Sequence, residues 1–275
     1  MGRRKARFKD FFRIVWESDL HGLASEISFT FLLTLFPLMV VFVSLIGLIE
    51  NPNTINLLTD QVGKILPEPI FQPIEKSVEN LTKIKNYKIL AFSILFSFFS
   101  SLTIFGAIIK SLRTISNEGI KIGFWQSQWM SLRMMLVSVL LLLVYFYTSF
   151  GLYLFERFLF LSWKIRIFRK NPEFFLAIIS FLVIVSLFSF FYSYASSKRT
   201  PILNSLPGAI FAALLWLPLT FGFQYYLKLK NVGVNYSFAY YLLSKMVVLM
   251  LYAYINATFF LWGYVWNLTR SNKTK

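Results

Sequence analysis

The residues able to do chemistry in this sequence are few, and nearly all are cations or amides. Lys110, Arg113 and Arg133 flank long apolar runs, while Lys245, Asn256 and Gln224 fall inside others. An ionisable residue in such a run is a functional candidate, because a charge in hydrocarbon is costly unless a polar partner or water meets it. The chemistry open to this set is recognition of an anion, above all a lipid phosphate gripped by guanidinium and ammonium groups. Each residue also has a plainer role. Lys245 can snorkel its amine to the interface, Asn256 and Gln224 can bond neighbouring helices, and the remaining three can face headgroups or water.

Catalysis finds no foothold. There is no GxxxxGKS phosphate loop, no GxSxG elbow, no HExxH and no pair of acids at helical spacing inside an apolar run. His21 is the single histidine and there is no cysteine, so neither a multi-His metal site nor thiolate chemistry can be built from one chain. No catalytic residue, metal or cofactor is expected, and the chain is not read as an enzyme. Asn80-Leu-Thr82, Asn256-Ala-Thr258 and Asn267-Leu-Thr269 match a glycosylation acceptor at the level of chance.

The elements that must position the cations are membrane spans. Ile27 to Ile49 runs 23 residues without a charge, enough helix to cross a hydrocarbon layer of about 30 Å. The whole chain is like this: of 275 residues, 57% are hydrophobic and only 15% charged, against roughly 25% charged in soluble domains. The fold class expected is therefore all-α, a polytopic membrane helix bundle. Its six spans fall at about 27–49, 89–109, 134–155, 174–194, 206–227 and 240–265, within a membrane domain of 27–267. The net charge of +16 lies in short flanks beside apolar runs, the arrangement that meets anionic headgroups. Membrane lipids, rather than nucleic acid, are the expected partner.

Residues 1–26 begin with Arg3, Arg4, Lys5, Arg7 and Lys9, then place Phe8, Phe11, Phe12, Val15 and Trp16 at helical spacing. This is a basic amphipathic lead helix, suited to lie in the interface or to pack on the bundle. It does not read as a cleavable signal peptide. Glu26 reads as a helix-start carboxylate at the mouth of the first span. Residues 50–88, with Pro52, Pro67, Pro69 and Pro73 and short amphipathic pieces, read as a helical extracytoplasmic cap, and 268–275 as a polar tail.

Serines stripe the second and fourth spans: Ser97 and Ser101 in one, Ser180, Ser186, Ser189 and Ser193 in the other. In span five Pro207 falls in the first turn, where a missing N–H costs little, and Pro218 is interior, where it should act as a hinge. Gly208 with Ala212, Ala209 with Ala213, and Ala253 with Ala257 are small-xxx-small pairs for close packing. They serve a homo-oligomer as well as the internal bundle. Six spans put both termini on one side. With the long first loop discounted, the side holding the termini carries 15 Lys/Arg against seven, so both termini are expected in the cytoplasm.

Two stretches carry a family likeness. GLASEISFTFLLTLFPLMVVFVSLIGLI, Gly22 to Ile49, and LPGAIFAALLWLPLTFGFQYYLKL, Leu206 to Leu229, resemble the YihY / virulence factor BrkB family of bacterial inner-membrane proteins. Phe36-Pro37 and Pro207-Gly208 through Trp216 are the more specific parts. The likeness departs in the last span, where a Gly-x-Glu common in the family is Gly263-Tyr264-Val265, and a common tryptophan is Tyr252 or Tyr254. The resemblance implies six spans, the bacterial inner membrane, links to envelope integrity and lipid transport, and no firmly assigned activity. An older ribonuclease label on the family is regarded as a misassignment.

Residues and resemblance together point to a transporter or flippase of an amphiphilic, anionic envelope lipid. Arg113, Arg133 and Lys245 would hold the headgroup, beside the serine-rich spans and the kinked fifth. The alternative is a non-transporting structural or assembly factor of the cell envelope.

Overall fold

A computed structural model describes residues 2–46, 87–117, 123–163, 172–195, 201–230 and 238–271. Among these residues the chain is entirely helical, in seven helices: α1 (Gly2–Glu17), α2 (Leu20–Ile46), α3 (Tyr87–Ile115), α4 (Phe124–Trp163), α5 (Pro172–Ala195), α6 (Ile202–Lys230) and α7 (Phe238–Ser271). The expected cap at 50–88 lies almost wholly outside the described residues.

Five stretches are long and apolar enough to cross a membrane: Ile94–Ile115, Phe124–Tyr145, Ile178–Ala195, Ile202–Phe223 and Met246–Arg270. The remaining expected span corresponds to α2, a 27-residue helix whose described apolar stretch is Leu20–Leu35. Large apolar side chains such as Phe92, Leu140, Leu182, Leu214 and Leu251 are exposed on these helices. Water would not tolerate so many; a lipid solvent requires them. The protein is a polytopic helical membrane protein.

Helix boundaries are set by local backbone chemistry that polarity alone does not reveal. The lead helix ends at Glu17, not at residue 26. Ser18 N–H closes the last turn on the Ile14 carbonyl at 3.0 Å, and Asp19 takes the left-handed region with φ of 45°, a conformation its short polar side chain tolerates. Glu26 therefore lies inside α2 rather than at a helix start. Asn117, φ 52°, ends α3 in the same way. α6 begins at Ile202, so Pro207 is inside the helix rather than in its first turn. α7 continues through Ser271, so the expected polar tail starts as helix. These ends extend past the hydrocarbon-length runs because a helix need not stop where its apolar stretch does.

The chain divides into two compact units. The first comprises Met1–Leu20, Ile109–Leu217 and Phe259–Lys275; the second comprises His21–Ile108 and Pro218–Thr258. The first is centred on Leu112, Met134, Tyr192, Ala209, Ala212 and Leu261, all buried. In it α5, α6 and α7 approach so closely that Gly208 and Gly263 are obligatory. A Cβ on Gly263 would sit 2.5 Å from the Gly208 carbonyl oxygen and 2.5 Å from the Tyr192 hydroxyl, and one on Gly208 would strike the Gly263 carbonyl. The second buries Ala24, Ile27, Ser28, Leu249 and Ala253. There Thr34 of α2 donates to the Ser100 carbonyl of α3 at 3.0 Å. The small residues of spans five and six are thus spent inside the chain.

Candidate functional site

The last four carbonyls of a helix have no intrahelical donors, and the macrodipole makes that end negative. α5 ends at Tyr194–Ala195, in the first unit, and two guanidiniums meet it there. Arg113, in the last turn of α3, donates through Nε to the Ala195 carbonyl at 3.0 Å and through Nη2 to Met130 Sδ at 3.5 Å. Arg133, on α4, donates through Nη1 to the Tyr194 hydroxyl at 3.3 Å. The Tyr194 ring is itself held by stacking on Phe190, centroids 5.3 Å apart and planes within 12°.

Among the described residues neither guanidinium meets a carboxylate. Their described partners are neutral and orient the forks. Each guanidinium has five N–H donors, and among the described residues protein contacts occupy two on Arg113 and one on Arg133. Arg113 is half-buried and Arg133 exposed. Such a pair can take the non-bridging oxygens of a phosphate, a task suited to the planar fork. Lys110 is exposed on α3, one turn before Arg113, in the same unit.

The other candidates are not brought to this place. Asn256, Gln224, Lys245 and Pro218 belong to the second unit. The side chains of Gln224 and Lys245 lie outside the described residues. Asn256 Nδ2 donates to the Tyr252 carbonyl one turn back at 2.9 Å, and among the described residues its Oδ1 is buried without a partner and no bond to a neighbouring helix is made. The bond between α6 and α7 in that unit is made by Thr220 and Tyr252, whose hydroxyls are 2.9 Å apart. Tyr252 also stacks on Phe223 at 4.3 Å. Pro218 is exposed within an α6 that is helical throughout.

The serines are divided: Ser186 is exposed, whereas Ser97 and Ser189 are buried. Ser189 is fully buried and donates to the Ile202 carbonyl at 2.8 Å, tying α5 to the start of α6, and Ser180 donates to the Tyr145 hydroxyl at 3.3 Å. Ser101 turns back to the Ser97 carbonyl at 2.8 Å. Val265, where the family likeness leads one to expect an acid, is fully buried, so this chain places apolar core at that position.

Two polar constellations went unrecognised in the sequence. In the first unit, Asn267 Oδ1 accepts the Gly208 N–H and its Nδ2 donates to the Ser205 carbonyl, each at 2.8 Å. Pro207 lies between these groups and, having no N–H, breaks the ladder of α6 at that turn. Proline within a span was the available signal, because it leaves backbone groups to be met by a neighbouring side chain. In the second unit, His21 Nδ1 lies 2.8 Å from the Tyr254 hydroxyl.

The architecture and the resemblance meet in the comparisons with known proteins. A protein of Bacillus subtilis (strain 168) named "Putative ribonuclease-like protein YfkH" is 24% identical over 250 residues, covering 87% of this chain and 86% of its own length. No solved structure gives a significant match. The sequence pattern of the family "Virulence factor BrkB" matches residues 11–275. With nearly its whole length matched, and a helical membrane architecture beneath it, the chain belongs to the virulence factor BrkB family.

Proposed function

We propose that this protein moves an amphiphilic lipid with an anionic headgroup across the bacterial inner membrane, with both termini in the cytoplasm. One observation supports the reading above the others. Arg113 and Arg133 converge on adjacent residues at the end of α5, and among the described residues their partners are neutral. A cation in a membrane protein is met by carbonyls, by other polar groups or by a counter-charge, and a lipid phosphate is the counter-charge a bilayer supplies in abundance. Within the second unit, Pro218 enters the reading as a hinge, and Lys245, Asn256 and Gln224 as polar residues open to the same class of headgroup. The reading contains no enzymatic step; hydrolysis of a phosphodiester is not assigned to this chain.

Liposomes containing the purified protein and a trace of fluorescent phosphatidylglycerol test it. Bleaching of the outer leaflet by dithionite should proceed to inner-leaflet lipid, while Arg113→Gln with Arg133→Gln should slow that phase at least tenfold. Rates equal to protein-free vesicles, for phosphatidylglycerol and the other anionic envelope lipids alike, refute it.

A second reading, a non-transporting structural factor of the envelope, draws on one feature of the same site. The Arg113–Ala195 bond caps a helix end, which is a sufficient structural use for the side chain. It predicts no headgroup crossing, and a loss of thermal stability on Arg113→Gln.

A further inference from the structure

Helix α1 has two apolar edges, and the protein uses only one. Phe11 is 8% exposed, and its ring meets Trp262 and Trp266 of α7 edge-on at 6.4 and 6.3 Å. Phe12 and Trp16, one turn apart and therefore on one face, are 64% and 89% exposed. At roughly 100° per residue, Lys9 and Arg13 form a parallel strip immediately beside Phe12 and Trp16, on the side away from Phe11. Both are exposed.

We infer that this edge of α1 is a docking surface for anionic lipid. Phe12 and Trp16 enter the acyl boundary while Lys9 and Arg13 meet the phosphates. Three observations select a bilayer as the occupant. The helix carries six Lys/Arg against two acids, Asp10 and Glu17, which complements a negatively charged leaflet. The Arg13–Asp10 pair, 3.4 Å apart and largely exposed on both sides, is too weak to withhold Arg13 from a phosphate. Finally, α1 is joined to α2 by only Ser18 and Asp19, and α2 carries the first long apolar run, so α1 is tethered at the membrane surface. A tryptophan edge next to a basic strip is the side-chain order of a bilayer interface, apolar body below and charge above. The inference stands whether or not lipid is transported, since it needs only the resident bilayer.

The chain contains no cysteine, so a single introduced thiol can be spin-labelled without background. Full-length protein carrying Phe12→Cys, Trp16→Cys or Glu17→Cys is reconstituted in phosphatidylcholine vesicles with and without phosphatidylglycerol. Accessibility to oxygen and to a water-soluble nickel chelate is then measured. With phosphatidylglycerol, labels at 12 and 16 should favour oxygen and the label at 17 the chelate. Without it, or with Lys9→Gln or Arg13→Gln, that contrast should fall about fivefold for each interaction lost, the factor for one cation near an anionic surface. Three results overturn the inference: labels at 12 and 16 as open to the chelate as that at 17; labels shielded from both reagents, as under a protein partner; or a contrast indifferent to phosphatidylglycerol.

Discussion

Removing the amide of Asn267 should loosen the first unit more than its position near the end of α7 suggests. In Asn267→Ala the Gly208 N–H and the Ser205 carbonyl each lose a partner at 2.8 Å. The two losses are not equal. The Ser205 carbonyl keeps the Ala209 N–H within helical reach, so losing Nδ2 costs about 0.6 kcal/mol, the average for a hydrogen bond between membrane helices. A Cβ on Gly208 would strike the Gly263 carbonyl and Asn267 itself, so the helices meet too closely there for water to replace Oδ1, and a stranded donor costs about 1–3 kcal/mol. Together these give a loss of about 1.6–3.6 kcal/mol. Unfolding of the detergent-solubilised protein by increasing SDS mole fraction, followed by helical circular dichroism, measures it. Asn267→Asp should also destabilise, since it keeps an acceptor for Gly208 but turns an oxygen towards the Ser205 carbonyl. A loss below about 0.5 kcal/mol for Asn267→Ala, no larger than for an exposed site, would refute the reasoning.

Gly263→Ala and Gly208→Ala should each be more damaging than Asn267→Ala, because the added methyl meets backbone atoms that cannot rotate away; the same SDS titration should show a loss above about 3 kcal/mol, or no folded protein. Tyr192→Phe removes only the hydroxyl that donates to the Phe260 carbonyl at 2.5 Å, so a loss of about 1 kcal/mol with unchanged helical content is expected. Thr220→Val and Tyr252→Phe each delete one end of the same bond in the second unit. A double-mutant cycle on unfolding should give a coupling of about 0.6 kcal/mol, and strict additivity would deny the contact.

Helix type and membrane class were legible because each rests on a long local signal: runs of about 20 residues without charge. The small residues at 208, 209, 212 and 213 were legible for the same reason, since their spacing places them on one face before any partner is known. Asn267 was not. It lies past the span expected at 240–265, within a tripeptide that matches a common motif by chance. Its partners are some 60 residues upstream, where Pro207 interrupts α6. Asn256 misled in the opposite direction. Mid-span position suggested a partner on another helix, yet an amide can satisfy its donor on its own helix one turn back, as it does on Tyr252. Sequence records that an amide is present in a span, but not whether it closes locally.

The cations show where that limit bears on function. Arg113 and Arg133 are 20 positions apart on different helices, and spacing alone gave only that each flanks an apolar run. What joins them is the end of α5: one takes a backbone carbonyl, the other the hydroxyl of the preceding residue. If helix capping were the whole purpose, one cation would suffice, and a Lys would serve nearly as well at Ala195. Arg113→Lys separates the two uses, because it keeps the charge and the reach to Ala195 but loses the fork. Stability close to wild type with headgroup crossing reduced at least tenfold would assign the fork to the lipid. Equal crossing in the two proteins would leave Arg113 as a helix cap and take the paired-guanidinium site away.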